Sequence, residues 1–361
     1  MERKWRVAVV GATGMVGQRF VSLLADHPWF EIAVVAASAR SAGKTYEEAV
    51  ADRWAFDWPI PQNIRPLVVR DASDVESVTS DVDFVFCAVD MKKDEIRALE
   101  DAYAKSETPV VSNNSAHRGT PDVPMIVPEL NPQHADIIEY QRKRLGTKVG
   151  FVTVKPNCSI QSYVPALTAL YDLKPTRVVV STYQAISGAG KTFKRWPEMI
   201  DNVIPYIGGE EEKSEQEPLK IWGHIENGVI VPAKAPIISA HCVRVAVADG
   251  HLATCWASFE KPATKEEIIE RWRSFEGLPQ KMNLPSAPHP FLQYFEEDNR
   301  PQTRLDRDFE HGMGISLGRL RGDSLFDWRF VGLSHNTLRG AAGGAVLIAE
   351  LLCAQGYIPK K

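Results

Sequence analysis

The sequence predicts an α/β protein: an N-terminal Rossmann domain with a doubly wound parallel sheet, followed by an α+β domain with a mixed sheet. Three observations favour this fold class. The first third alternates short β-branched segments with helical patterns, a glycine-rich turn follows the first of these segments, and strand-forming residues become denser after Val149. A chain of 361 residues is long enough for two ordinary domains.

Five apolar segments in the first third are predicted to be strands of one sheet. They are separated by helical patterns, of which Met15–Asp26 and Lys93–Lys105 are the clearest. Strands that alternate with helices form a parallel sheet with helices on both faces. The five predicted strands are RVAVV, EIAVVAA, PLVV, FVFCAV and PVVS.

The predicted domain boundary lies in the first half of the chain. Residues 1–157 form the predicted dinucleotide-binding domain, and residues 158–337 form the predicted catalytic and oligomerisation domain. The Gly- and Ala-rich helical segment 338–361 is predicted to complete the first domain. After Val149 the strand-rich segments indicate a mixed sheet, with a loop at the acidic stretch 208–217. These segments are FVTVK, RVVVSTY, HCVRVAVA and LATCWASF.

The composition excludes several classes of function. A net charge of −4 gives no electrostatic reason to expect a nucleic-acid or membrane partner. The five cysteines are odd in number and lack CxxC spacing, which favours a reducing compartment over a disulfide framework or a zinc site. No cluster of His, Cys and carboxylates has the spacing of metal ligands. We therefore expect a soluble, cytoplasmic protein without a bound metal.

A glycine motif follows the first predicted strand and precedes the first predicted helix. The GxxGxxG pattern permits a tight turn and close contact between helix and strand, and it leaves backbone N–H groups free for a pyrophosphate. A tight turn in a non-binding α/β protein is the alternative. The candidate cofactor-binding residues of this turn are Gly11, Thr13, Gly14, Met15, Val16 and Gly17.

The segment after the second predicted strand indicates which dinucleotide binds. NAD sites place an Asp or Glu there, to bind the ribose hydroxyl groups. This chain instead has Ser38, Arg40, Ser41 and Lys44 in the segment ASARSAGK. Hydroxyl and cationic groups can hold a 2′-phosphate, and the segment has no carboxylate to repel it. The sequence therefore predicts NADP, with a solvated basic loop as the alternative.

Cys158 is the candidate nucleophile. It lies in the segment KPNCS, between a predicted strand and a helical pattern that begins near Ile160. A cysteine at a helix N-terminus is expected to have a lowered pKa. The other four cysteines lie inside apolar segments and are predicted to be buried structural thiols: Cys87, Cys242, Cys255 and Cys353.

His251 is the histidine best placed to exchange a proton with such a nucleophile. It follows Asp249-Gly250, which is a strong signal for a two-residue hairpin turn. In such a hairpin His251 and Arg244 share one face, and valines occupy the opposite face. The two side chains would then point into one polar space. An exposed sheet face with an ordinary Arg and His is the alternative.

Taken together, these motifs give the sequence an end-to-end resemblance to the aspartate-semialdehyde dehydrogenase family, in its archaeal and fungal-like branch. The motifs occur in the order found in that family. They are GATGMVG, ASARSAGK, SNNSAHR, VPELN, PNCS, QAISGAG, CVRVAVADGH and NTLRGAAGG.

The resemblance implies a role for each matching residue. Cys158 would form the acyl-thioester, His251 would be the general acid/base and Gln184 would orient the reacting carbon. The implied substrate-binding residues are Arg118 and Asn157 for phosphate, Glu210 and Lys213 near the substrate amine and anion, and Arg244 for the α-carboxylate. The residues implied for the nicotinamide end of NADP are Ser187, Gly188 and Asn336.

The resemblance also implies the reaction and the assembly. The expected reaction is the NADPH-dependent reductive dephosphorylation of aspartyl 4-phosphate to aspartate 4-semialdehyde, in biosynthesis of the aspartate-family amino acids. The expected assembly is a homodimer or a homotetramer. A malonyl-CoA reductase-like paralogue is the nearest alternative, although Asn157 favours the phosphate-using enzyme. An N-acetyl-glutamyl-phosphate reductase fits the segments SAHR and ADGH less well, and a non-catalytic NADP-binding sensor is a more distant alternative.

Overall fold

Six parallel strands form the first sheet of the protein, whose computed structural model describes residues 3–361. Their order across the sheet is 3-2-1-4-5-6, which is the order of doubly wound dinucleotide-binding domains. The predicted fold class is therefore confirmed for this domain. The strands are β1 (Trp5–Val10), β2 (Phe30–Ala37), β3 (Arg70–Asp71), β4 (Phe84–Cys87), β5 (Val110–Ser112) and β6 (Val152–Val154).

Helices on this sheet bury apolar residues against it. The central strand β1 has four consecutive residues, 7–10, without exposed surface, as expected for a parallel strand that is covered on both faces. The α-helices of this part of the chain are α1 (Met15–Leu24), α2 (Tyr46–Val50), α3 (Val75–Thr79), α4 (Lys93–Lys105) and α5 (Ile138–Leu145).

Two of the predicted strands are placed differently in the structure. The segment PLVV is not a strand of the sheet, because its backbone pairs with residues 43–46 instead of with β2; Val69, for example, donates to the Lys44 carbonyl. The third strand is the shorter β3 that follows it. FVTVK was expected in the second sheet, but its strand β6 pairs with β5 in the first sheet. An apolar run indicates a buried strand and does not identify the partner strand.

Seven strands form the mixed sheet predicted for the second half of the chain. Their order is 13-14-15-12-7-11-8. Two further strands, β9 (His224–Glu226) and β10 (Val229–Val231), form a separate antiparallel pair. The seven are β7 (Pro175–Gln184), β8 (Val203–Ile204), β11 (Ile237–Val245), β12 (His251–Phe259), β13 (Leu292–Phe295), β14 (Ile315–Gly322) and β15 (Trp328–Ser334).

The predicted hairpin at Asp249-Gly250 is wrong. Strand β7 lies between β11 and β12, parallel to the former and antiparallel to the latter. The segment after β7 also bonds to the segment after β11: the N–H of Ile186 donates to the Val247 carbonyl at 2.9 Å. The turn residues predicted β12 as the neighbour of β11, but β7 occupies that position in the sheet.

The acidic stretch 208–217, expected to be a loop, lies largely in a helix. Helix α7 begins at Glu210, and its first turn carries three glutamates that complement the positive end of the helix dipole. Ser214, Glu217 and Ile221 are buried on its inner face. The α-helices of this half of the chain are α6 (Val164–Thr168), α7 (Glu210–Ile221), α8 (Lys265–Arg273), α9 (Leu278–Lys281), α10 (Thr303–Asp306) and α11 (Ala342–Ala354).

The C-terminal helix α11 packs against α1. The two helices share one core cluster that includes Phe20 and Val346. Glu350 is fully buried and bonds to His27 and to the Ser286 hydroxyl. Within residues 3–361, no helix is long and apolar enough to cross a membrane.

Candidate active site

Three strand ends meet where the candidate catalytic residues lie. Gln184 is the last residue of β7, Arg244 pairs with it in register from β11, and His251 is the first residue of β12. The three side chains are buried, with exposed fractions of 1%, 6% and 0%. His251 and Arg244 thus approach one another across the end of β7, although no hairpin joins their strands.

The sulfur of Cys158 lies 3.4 Å from Nε2 of His251. Nδ1 of the same ring accepts the N–H of Ala185 at 3.1 Å. This backbone donor assigns the proton of the neutral ring to Nε2, which faces the sulfur. His251 therefore starts as a donor toward Cys158, and Nε2 can accept a proton only after giving up its own.

The pKa of the Cys158 thiol is raised, contrary to the lowering predicted from sequence. Burial is the largest cause and Glu210 adds to it, while Lys155, Arg118 and Arg244 act in the opposite direction. The expected helix dipole is weak here because Cys158 precedes only a short 3-10 turn, Ser159–Ser162. The other four cysteines are buried, as predicted.

Burial also acts on the histidine. It is the largest cause that lowers the pKa of His251 to about 3, and the neighbouring Arg244 cation contributes to this lowering. Near neutral pH the free protein therefore holds a neutral imidazole beside a protonated thiol. Lys155, Arg118 and Arg244 favour the thiolate of Cys158, whereas the negative charge of Glu210 opposes it.

Glu210 links several of the candidate substrate-binding residues. Its carboxylate accepts from Asn157 Nδ2 at 2.9 Å, from Gln184 Nε2 at 3.2 Å and from Lys213 Nζ at 2.8 Å. Burial by itself would raise the pKa of Glu210, but the Lys213 cation and these hydrogen bonds lower it. The ExxK pair is therefore an ordered part of the site, lying one turn apart at the start of α7.

Arg118 is bonded to the backbone segment that leads into the candidate nucleophile. Its Nη1 donates to Glu217 at 3.0 Å and its Nε donates to the Lys155 carbonyl at 2.9 Å. Lys220 supports the loop that carries it by donating to the carbonyls of Arg118, Thr120 and Val123. Burial lowers the pKa of Lys220 to about 8.

A cavity of about 290 Å³ is lined by nine of the candidate residues, whereas Gln184, Arg244 and His251 lie outside its lining. It also contains residues that lie within the quoted sequence motifs but were given no role there. A Cβ on Gly340 would lie 2.8 Å from the Cys158 Cβ, so this position has no room for a side chain. Candidate residues lining the cavity are Val16, Arg118, Asn157, Cys158, Ser187, Gly188, Glu210, Lys213 and Asn336, and additional residues are Asn113, Asn114, Ser115, Thr337, Gly340 and Ala341.

Gly188 lies between this cavity and a neighbouring cleft. A Cβ at this position would lie 2.8 Å from Nη1 of Arg244 and 3.0 Å from the His251 ring. Asn336 donates to the Ser187 hydroxyl at 2.9 Å and accepts from Gly250 N–H at 2.8 Å. The segment after β7 is thus tied to the start of β12.

The glycine motif borders a cleft that extends from this cavity. Gly11 has φ +83°, and a Cβ there would lie 2.2 Å from the Ala88 carbonyl oxygen. Gly17 does not line the cleft but packs against Gly11, which allows α1 to approach β1 closely. Gly14 has no side chain to cap α1, so the first N–H groups of the helix stay available. Residues 13–16 line the cleft.

The second part of the cleft, about 520 Å³, lies at the end of β2. Ser38 and Arg40 line it, whereas the side chain of Ser41 is buried and outside the lining. The segment lacks a carboxylate, but Asp71 at the end of β3 lines the same cavity. The sequence pattern missed this residue because β3 was expected in the preceding segment.

Comparisons with known proteins agree with this architecture. A family model described as "Semialdehyde dehydrogenase, NAD binding domain" matches residues 6–138, and "Semialdehyde dehydrogenase, dimerisation domain" matches residues 167–339.

Individual relatives are similar over nearly the whole chain. Aspartate-semialdehyde dehydrogenase of Methanothermobacter thermautotrophicus is 43% identical, covering 96% of this chain and 98% of the relative. The enzyme of Aspergillus fumigatus is 42% identical, with coverage of 98% and 99%. The crystal structure of aspartate semialdehyde dehydrogenase with NADP from Candida albicans has a TM-score of 0.88 and 37% identity, covering 99% and 100%. The chain therefore belongs to the aspartate-semialdehyde dehydrogenase family.

Proposed function

We propose that the protein catalyses the NADPH-dependent reductive dephosphorylation of aspartyl 4-phosphate to aspartate 4-semialdehyde through an acyl-thioester on Cys158. The arrangement of the cavity carries this proposal. A sulfur lies 3.4 Å from an imidazole, and the cations Arg118 and Arg244 both lie near enough to favour its thiolate. A substrate with a phosphate at one end and a carboxylate at the other matches these two cations, with the phosphate at Arg118 and the carboxylate at Arg244.

NADP fits the cleft that opens from the cavity. The uncapped start of α1 offers N–H groups for the pyrophosphate, and Gly11 leaves room for its close approach. Ser38 and Arg40 would hold the 2′-phosphate, and Ser187 and Gly188 would adjoin the nicotinamide. When bound, the reduced cofactor supplies the hydride that converts the thioester to the oxidation level of an aldehyde.

Cys158 performs the covalent step in this proposal. The thiol first releases its proton to water, because Nε2 of His251 already carries one. The thiolate then attacks the acyl carbon, the C–O bond to phosphate breaks, and phosphate leaves with the bonding electron pair. Arg118 binds the departing phosphate. After reduction, the C–S bond breaks and the sulfur leaves as a thiolate. The Nε2–H of His251, 3.4 Å from the sulfur, donates to that thiolate as it forms.

The remaining polar residues fix the substrate. Arg244 would pair with the α-carboxylate, while Glu210 and Lys213 would contact the amine and an anionic oxygen. Gln184 would orient the reacting carbon, because its amide donates and accepts without a change of protonation. The side-chain amide of Asn157 donates to Glu210 and accepts from the N–H of Ser159, so its orientation is fixed.

The assembly and the location are part of the proposal. A homodimer, or a homotetramer built from two of them, would cover apolar side chains exposed on the second sheet, among them Val179 and Tyr183 of β7 and Ile237 of β11. The match of residues 167–339 to a dimerisation domain supports this assembly. Five free cysteines support a reducing, cytoplasmic location.

An assay of NADP reduction with aspartate semialdehyde, with and without phosphate, tests the proposed reaction. We expect reduction that depends on phosphate, and a Cys158→Ala variant that is inactive but still binds NADP. NADPH oxidation by malonyl-CoA, in the absence of phosphate-dependent activity, would instead identify a CoA-thioester reductase. Turnover by Cys158→Ala would contradict the thioester mechanism.

A further inference from the structure

The peptide unit just before the nucleophile is held at both ends by buried charged side chains. Lys155 Nζ donates to the Pro156 carbonyl oxygen, and the N–H of Asn157 donates to Oε2 of Glu217 at 2.5 Å. The peptide dipole favours both contacts, because its oxygen is negative and its N–H is positive. This donor and acceptor pair therefore resists rotation of the peptide plane.

Arg118 closes these contacts into a ring. Its Nη1 donates to Oε1 of Glu217 at 3.0 Å, and its Nε donates to the carbonyl of Lys155 at 2.9 Å. We call Lys155, Arg118 and Glu217 the peptide clamp. Its members are shielded from water: Lys155 is 2% exposed, and the side chains of Arg118 and Glu217 are 12% and 9% exposed.

The clamp adjoins the sulfur through a short stretch of backbone. Asn157 is the only residue between the clamped peptide and Cys158. A rotation of that peptide would move the sulfur relative to His251 and relative to the phosphate-binding face of Arg118. Lys155 and Arg118 are also cations that favour the thiolate of Cys158 over the thiol. Burial lowers the pKa of Lys155 to about 7, and an uncharged amine would still donate to the carbonyl.

We propose that Lys155 and Glu217 are positioning residues that fix the peptide before Cys158, so that its sulfur faces both His251 and the phosphate site. The inference rests on the proposed function, since the reaction it serves is the acylation of Cys158. Neither residue touches the reacting atoms. Their substitution should therefore affect the chemical step and the reactivity of the thiol more than the binding of substrate.

Glu217→Gln, compared with a control variant, distinguishes the loss of the clamp contacts from a general loss of negative charge on helix α7. The carboxylate accepts from Arg118 with one oxygen and from Asn157 with the other. A glutamine has a single acceptor oxygen, so its amide nitrogen would face one of these donors. Glu212→Gln is the matched control: it makes the same change of charge on the same helix, at an exposed position.

The experiment compares Lys155→Met, Glu217→Gln, Glu212→Gln and the wild type by steady-state kinetics and by iodoacetamide alkylation of Cys158 at a series of pH values. We expect kcat to fall by roughly 10- to 100-fold in the two clamp variants, as for a misplacement of about 1 Å or less. KM for the semialdehyde should stay near the wild-type value. The alkylation profiles of both clamp variants should move to higher pH, because a displaced sulfur loses the Nε2–H of His251 that donates to the thiolate.

Folded clamp variants with wild-type kcat and an unchanged alkylation profile would overturn the proposal, as would an equal loss in Glu212→Gln. If Lys155→Met does not fold, Glu217→Gln decides by the same criteria. The alkylation profile is measured without cofactor or substrate. A shifted profile in Lys155→Met, found with a wild type that lacks phosphate-dependent activity, would therefore count against the proposed function and leave the clamp standing.

Discussion

Replacing Gly188 by Ala is expected to impair the site through a contact that the structure defines closely. The added Cβ would lie 2.8 Å from Nη1 of Arg244 and 3.0 Å from Cε1 and Nε2 of His251. Ordinary van der Waals contact begins at 3.4 Å. The guanidinium must therefore move by roughly 0.6 Å and the imidazole by roughly 0.4 Å, in a site where a shift of about 1 Å can cost 100-fold in rate.

We expect kcat/KM for the semialdehyde to fall by about tenfold, which corresponds to about 1.4 kcal/mol of transition-state stabilisation. The assay is phosphate-dependent NADP reduction at subsaturating semialdehyde. Because Gly188 also borders the cofactor cleft, alkylation of Cys158 in cofactor-free protein is measured in parallel. A displaced His251 should change that rate even when no nicotinamide is present.

Gly119→Ala is the matched control, because a Cβ there meets no atom within 4 Å and the glycine does not have a positive φ. It should keep the wild-type kcat/KM and alkylation rate. Gly188→Ala with wild-type values in both assays, at an unchanged melting temperature, would refute the argument that contact distances around Gly188 control the site.

Three further predictions follow from the environments of single groups. Because burial raises the pKa of Cys158 above its ordinary value, the thiolate fraction is small at neutral pH; the alkylation rate of the free protein should keep rising above pH 9, and a plateau below pH 8 would contradict this. Arg339→Met leaves the carboxylate of Glu129 buried without its bidentate partner, so urea unfolding should show a loss of about 3–5 kcal/mol. The double variant Arg339→Met/Glu129→Leu should recover part of this loss, and an equal loss in both variants would exclude the unpaired charge as its cause. Arg40→Gln should raise KM for NADP by about tenfold or more and leave KM for NAD nearly unchanged. Asp71→Asn should lower KM for NADP by removing a like charge from the same cavity, and an equal effect on both cofactors would argue against a 2′-phosphate site there.

Much of the first domain followed from local sequence patterns. A buried parallel strand, a glycine turn and an amphipathic helix are each recorded in consecutive residues, so β1, the turn at Gly11 and the start of α1 were predictable. Motif order then identified the family, because eight short segments in sequence are far more specific than any one of them. The same motifs named the residues that the structure collects around Cys158, whose roles stay predictions.

Local patterns failed where the partner of a segment lies far away in sequence. Asp249-Gly250 has the chemistry of a hairpin turn, yet β7 lies between the two strands and pairs with both of them. A two-residue turn signal carries no information about a strand that comes from elsewhere in the sequence. The expected lowering of the Cys158 pKa failed for a related reason. A helix terminus was visible in the sequence, but the burial that outweighs it was not.

The sequence by itself determined the fold class, and it indicated the candidate nucleophile and the chemical types of the groups around it, since residue identity and short-range periodicity carry that information. Tertiary structure alone decided that Gln184, Arg244 and His251 meet at three adjacent strand ends, and that Lys155 and Glu217 hold the backbone before Cys158. Contacts such as that between Asn157 and Glu217 join residues 60 positions apart. They form only when packing brings the chain together, because hydrogen bonds between distant groups leave no periodic trace in the sequence.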